Sequence, residues 1–272
     1  MTINTISDNF LQPADLDKLK IVSHQRQHLA GLVRSDKNQI AKIFTNAGVR
    51  LEALVSDMPE AAVMKMAECL INGGTPQQAL QAAGDHSLEA SNEELLYSLE
   101  NDLTDSHRLS LKTTLTHIRE VNVHIQELDD HLLAGLKDYQ WAIELLLTLP
   151  GIDLMAAALL LVEIGTDMSK FGSLKKLASW AGLCPGQYEL AGKKYFGQTR
   201  KGNMWLKGIL IEAAHAASKT KDCMFEQKYN DLAVTRGSEL SIIAIAHKMI
   251  RIIFKMLENK EPYNEKVLTM RK

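Results

Sequence analysis

The sequence predicts an all-α protein: an extended helical, coiled-coil-like arm, then a compact helical domain with a helix-hairpin-helix-like element and a basic, glycine-rich loop. Three observations predict it. Prolines are few, six in 272 residues, so long helices meet few interruptions. No segment alternates apolar and polar residues over the length of a strand. Apolar residues recur instead at spacings of three and four, the period that lays one helix face against a core.

The elements follow in order. Residues 1–10 are polar and read as a loose terminus. Pro13 suits a first helical turn. From there to Asn46, the residues Leu16, Leu19, Val22, Leu29, Val33, Ile40 and Phe44 share roughly one face of a long helix. Asn46-Ala47-Gly48 is its expected stop, Gly48 taking the left-handed conformation. A second helix is expected from Pro59 to Ile71, ended by Asn72-Gly73-Gly74. Thr75 then reads as an N-cap and Pro76 as the first residue of a short helix to Ala83. Asn92 to Tyr139 is the most regular stretch. There Leu111, Thr114, Ile118, Val121, Ile125, Leu128 and Leu132 form a heptad seam with charged residues outside it. The seam has two readings: an antiparallel hairpin closed on the first long helix, or a coiled coil that joins copies into a homo-oligomer. Trp141–Leu149 is an apolar helix, Pro150-Gly151 breaks it, and Met155–Ile164 is another. A glycine-rich loop from Gly182 to Gly202 precedes long helices over 203–219 and 238–258. The expected division is a loose terminus (1–10), a helical arm (11–140), a compact domain (141–264) and a tail (265–272).

Composition narrows the function classes. Apolar residues make up 46% and charged residues 24%, an ordinary balance for a globular protein. No apolar run approaches the ~18 residues of a membrane span, and the candidate Met155–Val162 stops at Glu163, so no membrane partner is expected. Residues 1–10 carry neither the basic nor the apolar region of an export signal. Cys69, Cys184 and Cys223 fit no disulfide or zinc pattern, which suits a cytoplasmic protein. The net charge of −2 hides an asymmetry: residues 1–140 hold 12 Lys/Arg against 20 Asp/Glu, and residues 141–272 hold 19 against 13. The basic half points towards a polyanion.

Two segments carry candidate chemistry. Leu149-Pro150-Gly151-Ile152-Asp153, followed by Ala156 and Ala157, has the shape of a helix-hairpin-helix. Its turn would aim backbone N–H groups, at Gly151 among others, at a nucleic-acid phosphate. Asp153 stands where that motif usually has a second glycine and sets a negative charge near the phosphate position, so an architectural role is the other reading. The second segment runs from Lys193 to Lys207, KKYFGQTRKGNMWLK. It holds five cations (Lys193, Lys194, Arg200, Lys201, Lys207), no carboxylate, Asn203, and the aromatics Tyr195, Phe196 and Trp205. Cations interleaved with aromatics suit phosphate neutralisation and base stacking, and Gly192, Gly197 and Gly202 allow close backbone approach.

These segments belong to a longer resemblance. Pro150-Gly-Ile-Asp153, Glu163-Ile-Gly-Thr-Asp-Met-Ser-Lys-Phe171 and Leu177-Ala-Ser-Trp-Ala-Gly-Leu-Cys-Pro-Gly186 come first. Ala191-Gly-Lys193, Thr199-Arg-Lys-Gly-Asn203 and Trp205-Leu206 follow, then Glu212-Ala-Ala214, Tyr229, Ile245-Ala-His247 and Met256-Leu257. Over residues 140–264 the chain resembles the C-terminal domain of insertion-sequence transposases with a DEDD acidic tetrad, relatives of pilin-gene invertases and of RNA-guided bridge-RNA recombinases. Residues 11–140 more loosely resemble the coiled-coil region that joins the two catalytic domains of these enzymes. The resemblance implies DNA transposition or site-specific recombination, with DNA and a structured guide-type RNA as partners. It also implies an N-terminal ribonuclease-H-like domain whose four acids bind Mg²⁺. This chain starts after the point where that domain would end, so a truncated form with no cofactor of its own is expected. The family's nucleophilic serine stands just before Ala-Gly-Lys, and here that position is Leu190, so no catalytic residue is expected in this chain.

Other constellations are bland. His24 and His28 are four residues apart but lack a third ligand, and a solvated helix face is expected for them. Glu93-Glu94 and Asp129-Asp130 read as exposed helix charges, and no phosphate-binding or dinucleotide fingerprint is present. Three rival functions stand beside a DNA-binding, catalytically incomplete transposase relative. They are a nucleic-acid-binding regulator of a full-length transposase, a remnant without function, and a helical protein–protein scaffold.

Overall fold

The computed structural model describes residues 13–48, 60–84, 96–97, 99–100, 103–184, 188–190, 193–195 and 202–265. The fold is all-α. In chain order, the described helices are α1 (Ala14–Asn46), α2 (Glu60–Ile71), α3 (Pro76–Ala83), α4 (Asp105–Gly135), α5 (Gln140–Leu147) and α6 (Leu154–Ile164), followed by α7 (Leu174–Trp180), α8 (Met204–Ser218), α9 (Met224–Arg236) and α10 (Ser238–Asn259). Two 3₁₀ turns, Lys137–Tyr139 and Met168–Phe171, lie between them. The strands β1 (Tyr188–Leu190) and β2 (Lys193–Tyr195) pair antiparallel, Leu190 opposite Lys193, with Ala191 and Gly192 between them in sequence. This hairpin lies within the expected glycine-rich loop, Gly182 to Gly202. Strands of three residues are too short to show an alternating pattern, whereas a two-residue connection containing glycine is itself a hairpin signal.

The chain divides into two compact units, one of Met1–Gln25 with Asp129–Lys272, the other of Arg26–Leu128. The expected division (1–10, 11–140, 141–264 and 265–272) parts arm from domain at residue 140 in sequence, whereas these units interleave. The difference arises because α1 and α4 each contribute residues to both units.

In the Arg26–Leu128 unit, Val33, Ile40 and Phe44 of α1, Met66 and Leu70 of α2, and Leu111, Ile118 and Val121 of α4 bury into one apolar cluster. The seam residues Leu111, Ile118 and Val121 are thus covered inside the unit. Arg108 donates to the Leu70 carbonyl at 2.9 Å, satisfying one of the acceptors left over at the end of α2. Thr75 and Gln78 form a reciprocal capping box at the start of α3, with Pro76 at its first position. The helix α4 starts at Asp105, after the non-helical Leu103 and Thr104. The expected start at Asn92, and the pair Glu93-Glu94, lie outside the described residues.

In the other unit the start of α1 packs Leu16 and Leu19 into a core with Leu132 and Leu136, the apolar faces of α5, α6 and α8, and the length of α10. Every residue of α6 from Ala157 to Ile164 is buried, Glu163 included. Asp129 is buried too, while Asp130 is exposed. This corrects the expectation of two exposed charges, since adjacent helical residues point about 100° apart and need not share a fate. The helix α9 has no amphipathic stripe to betray it, because Phe225 is its one buried side chain. No described helix is long and apolar enough to cross a membrane.

Candidate nucleic-acid interface

The site is built around an acid in an apolar helix. Glu163, near the end of α6, is 1% exposed. A buried carboxyl needs partners on both oxygens, because unpaired burial costs several kcal/mol, roughly 2–7 for a polar group left without a hydrogen bond. Both oxygens have them. His24 donates from Nε2 to Oε1 at 2.7 Å, and Asn203 donates from Nδ2 to Oε2 at 2.6 Å. The bond to a carboxyl oxygen selects the Nε2–H form of the His24 ring. The same ring stacks on Trp205, with centroids 4.4 Å apart and planes 13° from parallel. His24 therefore does not sit on a solvated face as expected. It is a partner of the core acid, and one face of Trp205 is already occupied.

Asn203 has three tasks. Its Oδ1 accepts from the Leu206 N–H at 2.9 Å, which caps α8. Its Nδ2 goes to Glu163. Its backbone N–H donates to the Trp180 carbonyl at 2.9 Å. Next to it, Gly202 lies so close to the Trp180–Gly182 backbone that a Cβ there would sit 2.4 Å from the Gly182 nitrogen and 2.7 Å from the Trp180 oxygen. The chain that leaves at Gly182 thus returns at Gly202 against the point of departure. The described residues on either side of 185–201 are thus held against each other at Gly182 and Gly202.

Of the residues the sequence singled out, Asn203 and Gly202 are brought together with Glu163. Lys207 lies one turn further along α8 and is half-buried. Leu190, Lys193 and Lys194 are in the hairpin, where only the backbone pairing is described. Arg200 and Lys201 lie outside the described residues.

Gly151 is placed by packing. Leu149 to Ile152 form a turn closed by the Ile152 N–H on the Leu149 carbonyl, with Pro150 second and Gly151 third at φ +85°. That is the arrangement of a type II turn. A Cβ on Gly151 would lie 2.3 Å from the Ala213 carbonyl oxygen and 2.7 Å from the Ala217 nitrogen of α8. Asp153 then caps α6, accepting from the Ala156 N–H at 2.7 Å. The Ala156 amide at this helix start is occupied by the protein's own carboxylate, and the turn itself packs on α8.

Residues 143–230 match the model of the transposase IS116/IS110/IS902 family. The matched segment begins in α5 and ends in α9, so it holds the Pro150-Gly151 turn, Glu163, the hairpin, Asn203 and Trp205, and it leaves out His24 and α10. No curated protein is similar enough to the chain to stand as a relative. Sequence reasoning missed Glu163 and His24 as site residues. The legible signal was one acid inside the run Ala156–Ile164, which has no polar face to put it on.

Among the described residues no three His, Cys, Asp or Glu side chains come together as metal ligands, and no step is assigned to a metal.

Proposed function

We propose that this chain is a nucleic-acid-binding protein of the transposase kind, acting in DNA transposition or site-specific recombination through the stretch Lys193 to Lys207. The observation that carries the reading is the family match over residues 143–230, which encloses that entire stretch. Lys193, Lys194, Arg200, Lys201 and Lys207 would neutralise phosphates, with no carboxylate among them to oppose it. Asn203 would serve by holding the return of the chain through its bond to Glu163, and Gly151 by its packing on α8. DNA is the first partner, and a structured guide-type RNA has the same phosphate chemistry.

Leu190 favours one refinement. It stands at the position that the resemblance gives to a serine nucleophile, and a leucine has no oxygen to attack a phosphodiester. On this reading the chain binds without strand cleavage, as a regulator or a non-cutting member of a complex with a catalytically complete transposase. Self-association through the arm would have to use helix faces outside the α4 seam.

Binding across a salt series tests the proposal, on duplex DNA and on structured RNA. Wild type is compared with a variant carrying Lys193, Lys194, Arg200 and Lys201 all as Ala. The log–log slope of affinity against salt should flatten by about 0.9 for each duplex phosphate that is no longer neutralised. Equal and negligible binding by both proteins would overturn the reading. Cleavage or joining of DNA by the purified protein with Mg²⁺ would overturn the non-cutting refinement.

A further inference from the structure

Beyond the matched segment, α10 carries a feature that the Lys193–Lys207 stretch does not account for. Lys248, Arg251 and Lys255 recur at spacings of three and four, which puts them on one face of the helix. They line one side of a groove of about 630 Å³. The chain after α10, Glu261 to Asn264, lines the other side. That second wall is fixed. Lys260 ends the helix in the left-handed conformation at φ +57°, the Glu261 N–H donates to the Met256 carbonyl, and the Tyr263 N–H donates to Thr148 Oγ1 at 2.9 Å. Leu174, Ile252 and Met256 give the floor an apolar part.

We propose that this groove is a second nucleic-acid-binding surface, holding the phosphodiester backbone of one strand on Lys248, Arg251 and Lys255. The proposal rests on the reading that the chain binds nucleic acid. Charge complementarity selects the occupant. Three cations meet one carboxylate in the groove, Glu261, while Glu258 pairs with Lys255 beside it. Lys248 and Lys255 are seven residues apart, about 10 Å along the axis at ~1.5 Å per residue. Successive phosphates of one strand in a duplex rise about 3.4 Å each, so the three cations match the axial rise of about three phosphates. Burial first, and then Arg251 and Lys228, hold His247, the neighbour of Lys248, below its ordinary 6.5. Lys248 also donates to Met224 Sδ at 2.8 Å, which positions its stem over the junction with α9.

The experiment uses the full chain and the same salt series on duplex DNA. Lys248→Gln, Arg251→Gln and Lys255→Gln combined should flatten the slope by between about 2 and about 3, from ~0.9 per neutralised phosphate. A second variant, Asn259→Asp, keeps all three cations and adds a carboxylate on the groove wall; it should weaken binding at low salt several-fold. Thermal melting of both variants against wild type separates a failure to bind from a failure to fold. If the triple variant melts like wild type and keeps its slope while the Lys193/Lys194/Arg200/Lys201 variant loses it, the groove does not hold the strand and the proposed function stands. If both variants keep a wild-type slope, neither surface holds it. If wild type itself does not bind, both proposals fall. A misfolded triple variant leaves the decision to Asn259→Asp, whose unchanged affinity overturns the groove.

Discussion

Two helices of the matched segment begin in the same manner and differ by one functional group. The helices α6 and α8 each start at an extended residue, Asp153 and Asn203, whose side chain accepts the third amide, from Ala156 at 2.7 Å and from Leu206 at 2.9 Å. A glycine one or two residues before each cap abuts another backbone: Gly151 on α8, and Gly202 on the Trp180–Gly182 strip. At Asp153 the cap is an exposed acid, which occupies the positive end of its own helix and repels a phosphate. At Asn203 the cap is a neutral amide whose second arm reaches the buried Glu163. One start is complete in itself. The other joins its cap to the buried Glu163, and it follows the cation-rich sequence through which the proposed function has a polyanion bind. The shape of a helix start therefore decides less than the charge on its cap.

The largest expected effect breaks the architectural half of this comparison. Gly151→Ala puts a methyl into the Ala213 carbonyl and holds an L-residue at φ +85°. It should cost about 4 kcal/mol of stability, as overpacking against backbone and a strained φ combine. The same change at Gly202 meets equally close backbone but needs no left-handed φ, and about 2 kcal/mol is expected. Urea unfolding midpoints decide this. If Gly151→Ala is nearly neutral, the turn does not pack on α8 as described.

The next effect tests the tie. Glu163→Leu leaves the Asn203 amide and the His24 ring without their acceptor and should cost about 3 kcal/mol. Asn203→Ala removes a cap and one bond to the acid. In a double-mutant cycle the two should be coupled by between about 1 and about 2 kcal/mol, the range for residues that share a network. Additive losses would mean that Glu163 and Asn203 do not act on each other in solution.

These cases also show what the sequence made legible. Caps are local. Thr75-Pro76 and the stop at Gly48 can be read from one to four adjacent residues, and the structure has the helix limits where those residues put them. The partners of Glu163 are not local: they lie 139 and 40 residues away in the chain, and no periodicity links them. The pattern can say that an acid in an all-apolar helix needs company, but not whose. His24 escapes for the same reason, since an i, i+4 pair on a polar-looking helix carries no record of the ring stacked on it. The hairpin escapes because three-residue strands are shorter than the pattern used to find them. In the α4 seam, Leu111, Ile118 and Val121 are legible as buried, but which surface covers them is not, since a heptad looks alike whether its partner is the same chain or another.

A smaller effect sharpens the functional half. Asp153→Ala should cost about 1 kcal/mol, the ordinary loss for a helix cap. Asp153→Asn keeps an equally good cap while removing the charge. If the Pro150-Gly151 turn is architectural, Asp153→Asn leaves DNA affinity unchanged at low salt. A several-fold gain in affinity would mean that the acid had been repelling a phosphate nearby, and the turn would rejoin the interface.

The smallest effect uses a third start of the same kind. Asp167 caps the 3₁₀ turn Met168–Phe171, accepting from the Ser169 N–H at 3.1 Å and its hydroxyl at 2.6 Å. The hydroxyl bond is the main reason its carboxyl lies below the usual 3.8. A folded-state pKa below the unfolded one means that the unfolded chain takes up the proton first. The contribution is therefore full above 3.8 and is lost as pH falls from there through the folded value. Ser169→Ala should make the acid limb of stability slightly shallower between about pH 5 and about pH 2, and solvent exposure of the carboxyl keeps the difference small. Asn203, with no proton to take up, contributes nothing to that limb through its own side chain. If Ser169→Ala removes an acid-sensitive step while Asn203→Ala leaves the acid limb as it was, charge on the cap is what separates these helix starts. If neither moves the acid limb, the cap's shape alone suffices and the distinction between Asp153 and Asn203 loses its physical ground.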